Sequence, residues 1–184
     1  LFRSDGASAA AVAATGGFSP ACNACAIASA RQARSIIKGK SMVSEEIHFN
    51  RAMEDAGLEA LESDMGEYIV QLAGETPSHI IMPAIHKTKQ EIAALFAKEV
   101  PGVRYTEDVD ALIAIGRRVL RRKFAEADIG LSGVNFAVAE TGTLCLVENE
   151  GNGRMVTTLP RVLVPVPPLF LSVPALLTTG ALPP

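Results

Sequence analysis

Two short apolar runs, NFAVAE at 135–140 and TLCLVE at 143–148, are separated only by Thr141 and Gly142. A link this short joins two strands only as a tight antiparallel hairpin, because a parallel return needs about a dozen residues or more. Upstream, strand-like and helix-like patterns alternate. PSHIIMPAI, from Pro77, is a short apolar run bounded by prolines and reads as a buried strand. TKQEIAALFAKEV follows at once, with Thr88 and Glu91 spaced as a capping box and Ile92, Leu95 and Phe96 on one helical face. Such alternation with a late hairpin predicts an α/β fold, a mixed sheet with helices on both faces. Ligands of open α/β sheets sit at the carboxyl ends of the strands.

Two further helices are expected. SEEIHFNRAMEDAG begins at Ser44 with an N-cap residue, carries acids in its first turn and stops at Gly57. TEDVDALIAIGRRVLRRKFAEAD keeps Val109, Leu112, Ile113, Val119, Leu120 and Phe124 on one side. Arg117, Arg118, Arg121, Arg122 and Lys123 occupy much of the other. A basic face of this kind is commonly just solvated, and an anionic partner is the sharper reading.

The ends differ in texture from this middle. Residues 1–35 are rich in small residues with weak periodicity, and the chain opens at Leu1 without an initiator methionine, which leaves its natural start open. RVLVPVPPLFLSVPALLTTGALPP, from Arg161, opens as a strand and is then broken by prolines, which remove ladder donors. The expected organisation is an N-terminal segment 1–35, an α/β domain 36–160 and a proline-rich apolar tail 161–184.

With 184 residues, 48% hydrophobic and 20% charged, the chain is long enough for one domain with a real core. A net charge of −3 gives no electrostatic reason to expect nucleic acid or an anionic membrane as partner. Cys22, Cys25 and Cys145 are an odd, sparse set, as in a reducing compartment. No stretch approaches the roughly 18 to 20 apolar residues of a membrane span, so a cytoplasmic location is expected.

Chemistry concentrates in AETGTLCLVENEGNGR, residues 139–154. Glu140 sits where a strand meets the turn, and Glu148, Asn149, Glu150, Asn152 and Arg154 follow the second strand. Gly142, Gly151 and Gly153 permit positive φ and close approach of backbone amides to an anion. Arg154 could hold a carboxylate or phosphate in a bidentate pair. The candidate ligand is a small carboxylic acid, contacted by Thr141, Gly142, Thr143, Asn149, Gly151, Asn152 and Arg154. The plainer reading makes the glycines turn formers and the acids a solvated rim.

Two other places qualify. Lys40 and Ser41 lie just before the first helix, where a lysine and backbone donors could bind an anion. GKS also resembles the end of a phosphate loop, but Arg34 stands where that motif needs glycine. His86 and Lys87 follow the expected 77–85 strand at its carboxyl end. The three histidines, His48, His79 and His86, show no zinc-type spacing, and no metal site is expected.

Three ordered segments, KGKSMVSEEIHFN (38–50), DMGEYIVQLAGETPSHIIMPAIHKTKQEI (64–92) and GVNFAVAETGTLCLVENEGNGRMVTTLP (133–160), resemble the LUD domain family, in its lactate-utilisation branch. The resemblance covers roughly residues 36–160. It implies a fold like that of sugar-phosphate isomerases and coenzyme A transferases. It also implies a place in a cytoplasmic iron–sulfur system that oxidises L-lactate to pyruvate with two partner proteins.

Full-length members of that branch carry a ferredoxin-like module whose cysteine runs hold 4Fe–4S clusters. No such runs occur here: CNAC at 22–25 is half a site, and four thiolates are needed per cluster. The expectation is therefore a substrate-positioning or docking subunit without its own cofactor, acting beside other lactate-utilisation subunits. The alternatives are a stand-alone acyl-transferase-like or sugar-phosphate enzyme using Glu140 or Glu148, by fold analogy with coenzyme A transferases, and a non-catalytic binding module.

Overall fold

The computed structural model describes residues 20–79, 81–138, 141–148 and 150–166. Four short strands, β1 (Ser35–Lys38), β2 (Glu59–Glu62), β3 (Ile129–Gly133) and β6 (Val162–Val166), form one sheet in the order β2-β1-β3-β6. All three pairings are parallel. β4 (Phe136–Val138) and β5 (Thr143–Cys145) form the expected antiparallel hairpin, which stands apart as a two-stranded sheet. Gly142 turns it with φ 65°, and its amide donates to the Val138 carbonyl at 2.8 Å.

Helices cover both faces of the parallel sheet. Successive residues of a strand point to opposite sides, so Ile36 and Ile37 enter two separate cores. Ile36 packs with α1 (Pro20–Arg31) and α3 (Phe49–Asp55), through Ala24, Ala28, Phe49 and Met53. Ile37 packs with α4 (Met65–Ala73), α5 (Lys89–Glu99) and α6 (Val109–Glu126), through Ile69, Phe96, Leu112 and Phe124. Phe49, Phe96 and Phe124 are almost wholly buried, each worth about 1.5–3 kcal/mol of transfer free energy. The packed unit takes in α1 at one end and β6 at the other.

Helix ends follow the sequence chemistry where it is strong. Thr88 and Glu91 form the full capping box of α5, and Asp108 caps α6 through the Ala111 amide. Asp64 caps α4 by accepting from the amides of Gly66 and Glu67. α7 (Asn152–Thr158) lies against β3 at Gly130, where a Cβ would come within 2.1 Å of the Val156 carbonyl oxygen. Only glycine admits that approach.

Two elements differ from expectation. The described residues of PSHIIMPAI form no strand. They bond locally instead, with Ser78 N–H donating to Pro83 O, Ile85 N–H to Met82 O, and the His79 ring accepting from the amides of Ile81 and Met82. Proline at 77 and 83 removes two ladder donors, and Ile81, Met82 and Ile85 are left exposed. The helix expected from Ser44 starts earlier and breaks in two, as α2 (Met42–Glu46) and α3, with His48 between them at φ 49°. Ser44 does not act as the cap, because its hydroxyl donates to the Ser41 carbonyl and receives the buried Lys38 ammonium. Gly57 ends α3 as expected, with φ 79°. Among the described residues, no helix is long and apolar enough to cross a membrane.

Candidate functional site

Because the four strands are parallel, their carboxyl ends share one edge. The order β2-β1-β3-β6 makes the connections from β1 and β3 diverge, the kind of switch point at which open α/β sheets bind ligands. Gly39, just past β1, donates to the Leu131 carbonyl at 2.8 Å, and Lys40 and Ser41 follow it on this edge.

Below them lies a charge cluster set by strand register. Lys38 and Glu62 end their strands opposite each other, and their side chains pair at 2.9 Å, with Lys38 1% and Glu62 5% exposed. The Lys38 ammonium also contacts Glu45 and the Ser44 hydroxyl. Burial pushes this ammonium down, but Glu62 and Glu45 outweigh burial and leave it raised, so Lys38 is charged.

Glu67, on the first turn of α4, is 7% exposed. Burial pushes its carboxyl up to about 8, and the hydrogen bond to Glu62 and that residue's charge add to the effect, while Lys38 and Lys40 oppose it. At neutral pH Glu67 therefore keeps its proton. Among the described residues, one oxygen of Glu62 and one of Glu67 have no hydrogen-bond partner, a need that a proton shared between the two carboxyls would meet.

This cluster forms one wall of a cavity of about 280 Å³, which Lys40, Ser41, Glu67, Ser78 and His79 help to line. Lys40 is one-third exposed, 3.8 Å from Asp64, and donates to the Ile81 carbonyl. The cavity thus presents the Lys40 cation, a hydroxyl and a carboxyl group that holds its proton, alongside the acidic side chains of Glu45 and Glu46. Such a set can bind a small organic acid, with the cation on its carboxylate and the acid proton on a second oxygen.

The structure does not bring the residues singled out from sequence into one site. Lys40 and Ser41 line the cavity. His86 and Lys87 lie outside it, both engaged by Glu75, and His86 also meets the Ser78 hydroxyl that lines it. Their hydrogen bonds, Lys87 first, hold the Glu75 carboxyl below the usual carboxylate range. The expected site at a strand end is not what places them, since 77–85 is a turn-rich loop.

Thr141, Gly142 and Thr143 form the exposed hairpin turn, where the two threonine hydroxyls bond each other at 2.7 Å. Glu148 accepts from the Arg154 amide at 3.3 Å and approaches its guanidinium at 4.0 Å, tying the hairpin exit to the start of α7. Gly151 and Asn152 reach the strand-end edge, where they line a second crevice with Ser63 and Asp64. Glu140 and Asn149 lie outside the described residues. No hydrogen bond or ion pair joins the hairpin turn to the first cavity among the described residues.

Lys38, Glu62 and Glu67 were not visible from sequence. SIIK and EALE are four-residue runs, too short to show a period, and Glu67 reads as an ordinary first-turn acid. The one available signal was a charged residue closing an apolar pair and followed at once by turn chemistry: Gly39 in one case, Ser63 and Asp64 in the other.

Thiolate donors fall short of a cluster. Cys25 is on α1 in the core and Cys145 is on the hairpin, and with three cysteines in all the chain does not fit a four-thiolate site. No group of three or more His, Cys, Asp or Glu side chains is arranged to hold a metal ion among the described residues.

The LUD domain family matches residues 24–169. Lactate utilization protein B of Bacillus licheniformis is 51% identical over 137 residues, covering 74% of this chain and 28% of that protein. Lactate utilization protein B of Bacillus thuringiensis and lactate utilization protein B 2 of Bacillus mycoides are each 46% identical over 150 residues, covering 82% of this chain and 32% of theirs. The chain thus spans about a third of the length of the curated relatives it matches. No solved structure matches it.

Proposed function

Because the chain belongs to the LUD domain family, we propose that it is the LUD-domain part of a cytoplasmic lactate-utilisation system and that its strand-end cavity holds a small carboxylic acid. Lys40 pairs with the ligand carboxylate, Ser41 donates to it, and Glu67 presents its proton to the hydroxyl or keto oxygen beside it. The observation that carries this reading is the cavity itself, roomy enough for a small organic acid, with a cation and a protonated acid among its lining residues at the carboxyl ends of parallel strands. The chain positions substrate and docks on other subunits of the system, and electrons travel on clusters held elsewhere. The names of its relatives support the assignment to lactate utilisation.

Titration of the chain with L-lactate and with pyruvate, followed by NMR, tests the reading. Saturable shifts are expected at residues 39–41 and 66–68, with Lys40→Gln weakening binding about tenfold, as for one charge-assisted hydrogen bond. Absence of saturable shifts, or equal affinity in Lys40→Gln, would overturn it.

A further inference from the structure

A second crevice, of about 310 Å³, is bordered by Ser63 and Asp64, just past the end of β2. We propose that this second crevice is a binding site for a small organic anion with an apolar body, held by Arg117, Arg121 and the Ser63 hydroxyl. It stands independently of the lactate-utilisation reading.

Three observations carry it. The first is the state of the α6 cations. Arg122 pairs with Glu126 at 2.8 Å and Lys123 with Glu59 at 2.6 Å, while Arg117 and Arg121 form no ion pair among the described residues. They lie one helical turn apart and both border the crevice. Two guanidinium groups in that arrangement suit an oxyanion better than two separate waters would.

The second is Ser63, 1% exposed, which borders the crevice and whose hydroxyl has no hydrogen-bond partner among the described residues. A buried hydroxyl without a partner is unfavourable, and a ligand oxygen would supply the missing bond. The third is the floor, where Leu120 and Phe124 are buried and Met65 adds a flexible thioether. Bare inorganic phosphate would leave that apolar surface wet, so the ligand that fits carries an apolar body beside its charge.

Acids at the site do not cancel the arginines. Asp64 is engaged by the amides of Gly66 and Glu67 and by Lys40 at 3.8 Å. Glu150 remains as one negative charge, in contact with the Asn152 amide at 3.4 Å.

Phenyl phosphate, benzoate and inorganic phosphate serve as probes, titrated into the 184-residue chain and followed by NMR. Phenyl phosphate is expected to give saturable shifts at residues 63–65, 117–124 and 150–155, and to bind at least fivefold more tightly than inorganic phosphate. Arg121→Gln should weaken phenyl phosphate at least tenfold and Ser63→Ala about threefold, whereas Arg118→Gln, on the same helix but outside the crevice, should leave affinity unchanged. Benzoate that binds with the same map extends the site to carboxylates, and benzoate that does not bind restricts it to phosphoryl groups; both outcomes uphold it when phenyl phosphate binds there. Shifts that map elsewhere, no saturation by phenyl phosphate, or equal weakening by Arg118→Gln and Arg121→Gln would overturn it.

Discussion

The carboxyl edge of the parallel sheet and the β4–β5 hairpin are built from similar residues, charged side chains beside glycines and a few hydroxyls. At the sheet edge, Lys38, Glu62 and Glu67 are buried, and one carboxyl holds its proton at neutral pH. On the hairpin the Thr141–Thr143 turn is solvent-facing, and even Phe136 and Val147 are 58% and 69% exposed. The same functional groups therefore have different chemistry. Attraction between charges grows several-fold when water is excluded, and so does the cost of leaving a charge without a partner.

The largest expected effect tests that contrast directly. Lys38→Met leaves Glu62 buried without its cation and should lower unfolding free energy by about 3–5 kcal/mol, read from urea denaturation. Adding Glu62→Leu should restore most of the loss, because an apolar pair needs no counter-charge. Glu148→Gln, made in the hairpin's exit, should change stability by less than about 0.5–1 kcal/mol. Equal losses in Lys38→Met and Glu148→Gln would erase the distinction between the two regions.

The second effect is on pH dependence. Glu67 keeps its proton in the folded protein up to about pH 8, while the unfolded chain releases it near the ordinary carboxylate value of about 4.5. Between these limits the folded state binds more protons, so stability falls as pH rises through that window, by up to about 1 kcal/mol per pH unit. Below the window both states are protonated, and above it neither is. Glu67→Gln, which keeps the shape and cannot titrate, should flatten the slope between pH 5 and 8 in denaturation midpoints. An unchanged slope would show that Glu67 does not hold its proton across that range.

A smaller effect probes the hairpin by itself. Gly142→Ala forces a side chain into φ 65° and should cost about 1 kcal/mol, with the circular dichroism of the parallel sheet and helices unchanged. A collapse of the whole fold would mean that the hairpin is not the separate sheet that its pairing describes.

Legibility in the sequence followed the range over which each signal acts. α5 and α6 were readable because capping residues and eleven- or eighteen-residue periodicity act within one helix. The hairpin was readable because its two strands are adjacent in the chain. β1 and β2 were not, since each strand has only four residues and is buried on both faces, which hides any two-residue period. The 77–85 segment misled for a related reason: its apolar content matches a strand, but its two prolines leave no ladder to join. Of the site, Lys40 and Ser41 could be named from their place before a helix. Lys38, Glu62 and Glu67 could not, because nothing local marks a charged residue as buried.

The pairing of Lys38 with Glu62 also bears on how the sheet finds its alignment. Strands of four residues offer little to tell one sliding position from the next. A slide of one residue would turn every side chain to the wrong face, and burial alone rejects it. A slide of two preserves the faces, yet it can set Lys38 beside Ala60, leaving an ammonium in the core with no acid directly across from it on β2. The ion pair thus works as a key cut for one alignment, and it guards the geometry on which both strand-end crevices depend.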